Sequence, residues 1–411
     1  MLEAIIKFSL SNKLVVALAA LALALGGIFA LKTLPLDALP DLSDTQVIVY
    51  TEWPGQAPQT IQDQVTYPIT VKLLSTPAAK AVRGYSFYGF SFVYVIFDDG
   101  TDPYWARSRV LEYLSGLGKS LPPNVTPVLG PDATGVGWAF MYTLESKKRD
   151  LAELRSLQDF NLRYGLASVD GVSEVASVGG FVKQYQITVD PNKLRAYNIS
   201  IDSIASAVRR SNGETGGRSL EIGEKEFVVR VHGYLKGLDD LRSISLGVGP
   251  NGSPILLGEL ADVTLGPDMR RGIAELNGQG ETVGGIVVVR QGANASKVIK
   301  LVKERLAELR KSLPPDVELK VAYDRTALID RAVENLKGKL VEEGIVVALV
   351  CLLFLLHLRS ALVAVVILPL AVLASLLLMR MQGISSNIMS LGGIAIAIGA
   401  MVDAVIIMIE N

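Results

Sequence analysis

The sequence predicts a membrane protein in which α-helical spans flank a large α+β domain that lies outside the bilayer. Half of the 411 residues are hydrophobic, and the mean hydropathy of +0.37 is too high for an ordinary soluble protein. The apolar residues are concentrated in blocks, with a long segment of mixed composition between them. The net charge is −1 and no basic block occurs, so nucleic acid is not an expected partner.

Four runs with little or no charge are candidates for membrane helices, since a bilayer core needs about 20 apolar residues in a helix. They cover residues 14–31, 344–356 with an extension back towards 340, 361–379 and 384–402. The first run is too long for the core of a usual signal peptide and lacks a clear Ala-x-Ala cleavage site. We therefore expect four transmembrane helices. The flanking charges do not decide their orientation.

The segment between the first two spans has the pattern of a duplicated α+β unit. Two amphipathic helices end alike, in Ser-Leu-Pro-Pro-Asn-Val at 120–125 and in Ser-Leu-Pro-Pro-Asp-Val at 312–317. In each motif the prolines stop the helix and a strand follows. This echo predicts two βαβ-type subdomains packed side by side. Between 189 and 269, glycines around short alternating strands predict an inserted β-rich lobe with an extended hairpin near 227–231.

Asp403, in the fourth run, is the candidate proton-carrying residue. A carboxylate at the centre of a membrane helix costs roughly 2.5–3.5 kcal/mol, so it persists only where it is paired, hydrated or neutralised. Burial raises a carboxyl pKa and a nearby cation lowers it, which can set the group for proton exchange. The alternative is a structural acid near the membrane interface. Glu410 lies on nearly the same helix face, where an interfacial position is favoured over a second relay role.

Methionines are the candidate ligands for a metal. With one cysteine and two histidines, the chain has no histidine cluster, and thioethers select soft ions such as Cu(I). The candidates are Met269, Met389, Met401 and Met408. Methionines in helices usually serve packing, so spacing alone leaves both roles open. No phosphate-binding Gly-Lys-Ser/Thr loop occurs, so direct ATP hydrolysis finds no support, and a pump without such a motif would need an ion gradient. No resident cofactor is expected.

Several of these motifs resemble the heavy-metal efflux branch of the resistance-nodulation-division (RND) transporters. They are Trp-Pro-Gly at 53–55, Val-Thr-Tyr-Pro-Ile at 65–69, Gly-Gly-Arg at 216–218, Leu-Arg-Ser-Ala at 358–361, and the run at 387–399 that leads to Asp403. The resemblance covers the whole chain and is strongest to the copper/silver exporters of that branch. It implies a secondary active transporter driven by proton antiport, with ferredoxin-like porter subdomains and a docking lobe.

The resemblance also implies a division of the chain and a set of partners. The implied parts are an N-terminal helix and first span at 1–32, a first porter subdomain at 33–135, a second at 136–180 and 272–336, a docking domain at 181–271, and further spans at 337–357, 360–380 and 384–411. The implied assembly is a homotrimer in the lipid of the bacterial inner membrane with a large periplasmic domain. A periplasmic adaptor (membrane fusion) protein and an outer-membrane channel complete the tripartite complex.

By the same resemblance, Asp403 takes part in the proton relay and the four methionines match a stepwise metal path. Divalent-cation members carry a further aspartate where this chain has Ala397, which favours Cu(I) and Ag(I) as the transported ions. Family members are more than twice as long, so the chain is expected to be an N-terminal portion. The alternatives are a truncated, non-transporting assembly or docking module, and the same fold exporting divalent cations or organic compounds.

Overall fold

The structure is a computed structural model that describes residues 8–9, 11–118, 120–231, 233–249, 252–270, 272–355 and 358–410. The chain divides into two compact units. The first comprises Met1–Glu145, Gln158–Ser177 and Gly284–Asn411, and the second comprises Ser146–Leu157 and Val178–Val283. The first unit contains the long apolar helices and nearly all of two four-stranded sheets, and the second contains the inserted lobe.

The chain begins with a long helix and a first α+β subdomain. Its elements are α1 (Lys13–Thr33), β1 (Gln46–Glu52), α2 (Pro58–Ile61), α3 (Tyr67–Leu73), β2 (Ala79–Phe87), β3 (Phe90–Phe97), α4 (Pro103–Ser115) and β4 (Val128–Leu129). A π-helical turn, Gln62–Thr66, joins α2 to α3. The strands pair antiparallel in the order β2-β3-β1-β4.

The helices of this subdomain cover one face of the sheet because their apolar residues recur at helical spacing. Every fourth residue from Ile61 to Leu73 is buried, across α2, the π-helical turn and α3. Buried side chains also recur at this spacing along α4, from Ala106. In β1 every second residue is buried, which is the period of a strand with one covered face. The side chain of Asp102 accepts a hydrogen bond from the Trp105 backbone N–H at 2.7 Å and so caps α4.

After this subdomain the chain begins a second sheet. The elements are β5 (Trp138–Glu145), α5 (Leu151–Leu157), α6 (Arg163–Ala167) and β6 (Val172–Gly179), of which α5 falls in the second unit. A π-helical turn, Gln158–Leu162, lies between α5 and α6. The helical stretch from Leu151 to Ala167 is therefore not a single regular α-helix.

The inserted lobe follows β6 and has its own hydrophobic core. Its elements are β7 (Lys183–Val189), α7 (Pro191–Tyr197), α8 (Ile201–Ser211), β8 (Thr215–Ile222), β9 (Lys225–Val231), α9 (Leu238–Arg242), β10 (Ser245–Val248), β11 (Pro254–Leu256), α10 (Leu257–Leu260) and β12 (Ala261–Pro267). The strands form three antiparallel pairs, β7 with β12, β8 with β9 and β10 with β11. The predicted hairpin is β8–β9.

The lobe contains more helix than the predicted β-rich lobe. Asp190 and Ser200 start α7 and α8 by accepting hydrogen bonds from backbone N–H groups of Asn192 at 2.9 Å and Ser203 at 3.1 Å. Buried residues on these helices, including Leu194 and Ile204, pack in the lobe core. The glycines of this segment indicated a β-rich lobe, and the two N-cap residues were not recognised from the sequence.

The chain then returns to complete the second sheet with β13 (Val283–Val289), α11 (Ala295–Arg310) and β14 (Glu318–Asp324). The order of this sheet is β14-β5-β13-β6. From β6 to β14, the sheet therefore contains the second, third, first and fourth strands of the second subdomain, counted in chain order. The first sheet has the same order. Both subdomains therefore have the βαββαβ arrangement of a ferredoxin-like fold, with the lobe inserted between the second and third strands of the second one.

The two prolyl motifs occupy equivalent places in the two subdomains. The backbone N–H of Val125 donates to the Pro122 carbonyl at 3.2 Å, and the N–H of Val317 donates to the Pro314 carbonyl at 3.0 Å. The leucine and valine of each motif are buried. The sequence echo thus corresponds to the same turn in both copies.

Three further long helices lie in the regions predicted to span the membrane: α12 (Thr326–Leu355), α13 (Leu358–Met381) and α14 (Ile388–Glu410). The first of these begins well before residue 337, where the span was expected. Within the described residues only α1 meets the length and hydropathy expected of a membrane span, and shorter apolar stretches cover Val366–Met381 and Ile388–Ile398. Four spans therefore remain a prediction.

Helix α1 packs closely against α13 because the residue of α1 at the crossing is a glycine, which has no side chain. A Cβ on Gly27 would lie 2.5 Å from the Leu373 Cβ and 2.7 Å from its carbonyl oxygen. Buried Ala30 of α1 and Leu34, which follows the helix, continue this contact in one cluster with Leu368 and Val372 of α13. Small residues allow this kind of close backbone approach between helices.

We expect Gly27→Ala to destabilise this helix pair by about 1–3 kcal/mol, the range for overpacking a tight contact. The measurement is the thermal unfolding of the full-length protein in detergent. Gly26→Ala is the matched control, since its Cβ would meet only the end of the Leu377 side chain, at 3.2 Å. Equal melting temperatures for the two variants would contradict the close crossing.

Candidate functional site

Asp403 and Glu410 lie in the continuous helix α14, whose backbone is described as far as Glu410. The side chains of Asp403, Met408 and Glu410 lie outside the described part of the structure. The helix begins at an N-cap formed by Asn387, which accepts a hydrogen bond from the Ser390 backbone N–H at 3.0 Å. The Ser390 hydroxyl in turn accepts one from the Asn387 N–H at 2.8 Å, so this end of the helix is fixed.

One face of α14 packs on the other helices and another is uncovered in this chain. Ile394 and Ile398 are buried against α1 and α13, and Met401 is half-buried beside the same cluster. By contrast, Met389 is 70% exposed and Ile396 is 80% exposed. With 3.6 residues per turn, positions 389, 396, 403 and 410 recur on one side of a regular helix. Position 403 thus recurs on the same side of α14 as the exposed Met389 and Ile396.

Of the predicted metal-binding methionines, the two whose side chains are described in α14 do not come together. Met389 and Met401 lie on different sides of α14, exposed and half-buried respectively. Met269 is 63% exposed in the second unit, in the segment after β12. Among the described residues, no group of three or more histidine, cysteine, aspartate and glutamate side chains is arranged to hold a metal ion.

A buried arginine at the start of α12 connects three parts of the first unit. Arg325 is 3% exposed, and its guanidinium forms an ion pair with Asp37, in the segment after α1, at 3.2 Å. The same guanidinium donates to the backbone carbonyl of Trp138 in β5 at 2.7 Å and to that of Val136. Arg325 therefore links the first residues of α12 to the second sheet and to the segment that follows α1.

The segment after α1 is also paired with the turn that precedes α14. The Asp37 backbone N–H donates to the Ser386 carbonyl at 3.0 Å, and the Ser386 N–H donates to the Pro35 carbonyl at 2.9 Å. Ser386 and Asn387 are both buried. Hydrogen bonds and one ion pair thus connect the turn before α14 to Asp37 and, through Arg325, to the second sheet.

A second polar cluster joins the two α+β subdomains around Asp132. Its carboxylate pairs with Arg290 at 2.8 Å, next to β13, and accepts hydrogen bonds from the hydroxyls of Ser173 in β6 and Tyr104 in α4. A cavity of about 330 Å³ lies between the two clusters and is lined by Asp37, Arg290 and Arg325. The described lining of this cavity includes charged and polar side chains and no methionine, so the cavity does not suit a soft metal ion.

The cluster holds Asp132 in its charged form. Partial burial disfavours the carboxylate, but the Ser173 hydrogen bond and the Arg290 charge outweigh burial and hold the pKa below its ordinary value. Burial and the nearby Asp132 charge raise the pKa of Tyr104, which therefore stays a neutral hydrogen-bond donor at neutral pH. A carboxyl whose pKa is lowered on folding stabilises the folded state above its unfolded pKa, and that contribution is lost as the pH falls through the folded pKa.

We expect Asp132→Asn to lower the stability of the full-length protein by about 2 kcal/mol at pH 7, because charge-assisted hydrogen bonds are replaced. The difference from the natural protein should shrink as the pH falls from about 5 to below the ordinary carboxyl pKa of about 3.9. Melting temperatures measured as a function of pH check this. A difference that stays constant with pH would contradict the charged state of Asp132.

Sequence reasoning did not identify Arg325, Asp37 or Asp132 as important residues. Each is a single charged residue next to the end of a helix or strand, where charges are common, and only the fold brings them together. The one signal in the sequence was the position of Arg325 between a strand and a long helix.

Comparisons with known proteins give a consistent assignment over the whole chain. A model of the AcrB/AcrD/AcrF family matches residues 5–411. The cation efflux system protein CusA of Escherichia coli strain K12 is 56% identical over 413 residues, which are 100% of this chain and 39% of CusA. The cobalt-zinc-cadmium resistance protein CzcA of Cupriavidus metallidurans is 36% identical over 420 residues, again 100% of this chain and 39% of the relative.

The fold is similar to that of a solved transporter. The crystal structure of a heavy metal efflux pump, crystal form II, superimposes with a TM-score of 0.87 at 36% identity. The superposition covers 99% of this chain and 41% of that chain. The chain thus spans 39% of the length of the two curated relatives it matches.

Proposed function

The chain belongs to the AcrB/AcrD/AcrF family, and from that membership we propose that it forms part of a proton-driven exporter of Cu(I) and Ag(I). The observation that carries this proposal is the 56% identity to the cation efflux system protein CusA over the entire chain, against 36% to the cobalt-zinc-cadmium resistance protein CzcA. A divalent cargo is therefore the less favoured alternative.

The residues support a soft, monovalent cargo. Thioether sulfur binds Cu(I) and Ag(I) in preference to Zn(II), and Met269, Met389, Met401 and Met408 are the proposed stations of the metal. Met269 and Met389 are exposed and can meet an incoming ion, whereas half-buried Met401 lies deeper in the helix cluster. Divalent-cation exporters of this branch have an aspartate at the position of Ala397. Because alanine stands there, α14 lacks a hard oxygen ligand at this position.

Asp403 is the proposed proton relay. Position 403 lies on the same side of α14 as the exposed Met389 and Ile396. A carboxylate there needs a polar partner within the bilayer, because an unpaired charge is costly. We place that partner in a helix of the complete transporter that packs on the 389–396–403 face. Glu410 is two turns further along the same side of α14. It is proposed to lie at the membrane interface and to contribute less to the proton relay.

Metal movement requires that protonation in the membrane changes the domain outside it. The Asp37–Arg325 ion pair and the backbone pairing of Pro35 and Asp37 with Ser386 provide a direct path from the start of α14 to the second sheet. We propose that this path transmits the displacement of α14 to the porter subdomain. A buried pair of this kind can hold two elements in one register.

The proposed assembly is a homotrimer in the bacterial inner membrane, with residues 33–336 in the periplasm and an adaptor protein and outer-membrane channel completing the route. The hairpin β8–β9 supports the trimer, since Phe227 and Val228 are 52% and 77% exposed. Apolar residues at such exposure on a two-stranded hairpin favour a partner surface, because an isolated hairpin is marginally stable.

Metal tolerance of a bacterial host that lacks its own copper, silver and zinc exporters tests the cargo. We expect the full-length protein to restore growth in copper and silver and to leave zinc and cobalt sensitivity unchanged. The double variant Met389→Leu/Met401→Leu keeps the apolar volume and removes two thioethers, so it should lose tolerance. Met141→Leu, in β5 outside the proposed path, is the matched control. Restored zinc tolerance without copper tolerance would overturn the cargo assignment.

A further inference from the structure

A groove of about 580 Å³ lies beside the C-terminal end of α1. One side of it is formed by the last turn of α1 and the residues that follow, and the other side by the N-terminal turns of α11 and α12. All of these elements belong to the first unit, so the groove is a feature of one compact body.

The lining of this groove carries more positive than negative charge. Four of the lining residues are lysines, Lys32, Lys297, Lys300 and Lys303, and one is an aspartate, Asp330. The Lys303 ammonium group forms an ion pair with the Asp324 carboxylate at 2.5 Å. The other three lysines are exposed and form no ion pair within the described part of the chain. An anionic group that entered the groove would meet three ammonium groups that are not engaged in an ion pair, although the Asp330 carboxylate also lines the groove.

The groove also has an apolar side that faces along α1. Leu31 is 60% exposed at its edge, and Leu34, Leu36 and Val333 line its wall. Lys32 stands in the last turn of α1, at the boundary between the apolar helix and the polar domain. If α1 crosses a bilayer, this boundary lies at the level of the lipid headgroups, where lysine ammonium groups reach the interface.

We propose that this groove binds the phosphodiester headgroup of an anionic phospholipid, with Lys32, Lys297 and Lys300 contacting the phosphate and the leucines of α1 contacting the first part of an acyl chain. Two observations favour a lipid over a soluble anion. The site adjoins the end of an apolar helix, and part of its wall is apolar. Juxtamembrane lysines attract anionic lipids in this way.

The bound lipid would connect α1 to α11 and α12 at the base of the domain outside the membrane. This inference rests on the proposed insertion of α1 in a bilayer and is independent of the cargo and of the proton relay. A transporter that fails to move Cu(I) could still show the lipid site, so the two proposals fail separately.

The test is native mass spectrometry of the full-length protein titrated with phosphatidylglycerol and, separately, with phosphatidylcholine of the same acyl chains. We expect the natural protein to prefer phosphatidylglycerol. The triple variant Lys32→Gln/Lys297→Gln/Lys300→Gln should lose about tenfold or more of its phosphatidylglycerol affinity and keep its phosphatidylcholine affinity. The matched control is Lys80→Gln/Lys147→Gln/Lys311→Gln, three exposed lysines outside the groove, which should retain the preference.

Equal loss of phosphatidylglycerol binding in both triple variants would overturn the proposal. So would competition by inorganic phosphate at concentrations that displace the lipid, because that result would assign the groove to a free anion. If the triple variant does not fold, the single variants Lys297→Gln and Lys300→Gln and the salt dependence of the natural protein remain. A natural protein without preference for phosphatidylglycerol at low salt would contradict the inference by itself.

Discussion

Asp403→Asn is expected to abolish proton-driven transport of Cu(I) and Ag(I) by the full-length protein. Asparagine has nearly the same size and can still form hydrogen bonds, but it cannot take up or release a proton. If the carboxyl group carries protons across the helix bundle, its loss removes the driving step and the rate should fall by at least about 100-fold. The measurement is metal uptake into vesicles that contain the purified protein and carry an imposed pH gradient.

Two further variants separate a relay from a structural role. Asp403→Glu keeps an ionisable group on the same helix face, so it should retain part of the activity. Asp202→Asn changes an exposed aspartate in the first turn of α8 and should leave transport unchanged. Normal transport by a correctly folded Asp403→Asn protein would exclude the relay.

Arg325→Met is expected to cause the largest loss of stability among the substitutions considered. The guanidinium is buried and pairs with Asp37, and it satisfies the carbonyls of Val136 and Trp138. Methionine fills much of the same volume but leaves a partly buried carboxylate and two carbonyls without their donor. Removing one partner of a buried ion pair costs about 3–5 kcal/mol. Thermal unfolding of the full-length protein in detergent measures this.

The matched control is Arg310→Met in the last turn of α11, where the arginine is exposed, and we expect an effect within about 0.5 kcal/mol. Arg325→Lys should fall between the two, since one ammonium group cannot reach the carboxylate and both carbonyls with the geometry of a guanidinium. If Arg325→Met melted at the temperature of the control, the proposed link between α12, the sheet and the segment after α1 would have no energetic basis.

Several regular elements of the first unit carry a local signal in the sequence. Strand β1 shows strict alternation, and α4 and α11 have apolar residues at helical spacing and defined caps. The prolyl echo indicated the duplication, and the identical strand order of the two sheets agrees with it. These features depend on residues that are close together in the chain, so periodicity and turn chemistry suffice.

Features that depend on distant residues were not predictable. Gly285 is an example: a Cβ there would lie 2.5 Å from the Tyr142 hydroxyl oxygen, which itself donates to Gln158 at 2.8 Å. Nothing near Gly285 in the sequence indicates this contact. The same holds for Asp37 and Arg325, which are separated by most of the chain. Helices α7 and α8 were missed for another reason, since they are short and stand among glycine-rich strands.

We propose that metal movement and proton movement are coupled through α14. The most direct measurement follows both fluxes at once in vesicles that contain the full-length protein, with a pH-sensitive dye and a Ag(I) probe. We expect that adding Ag(I) to the natural protein starts a proton flow in the opposite direction, and that Asp403→Asn shows neither flux. Silver movement at the natural rate without any proton movement would contradict this coupling.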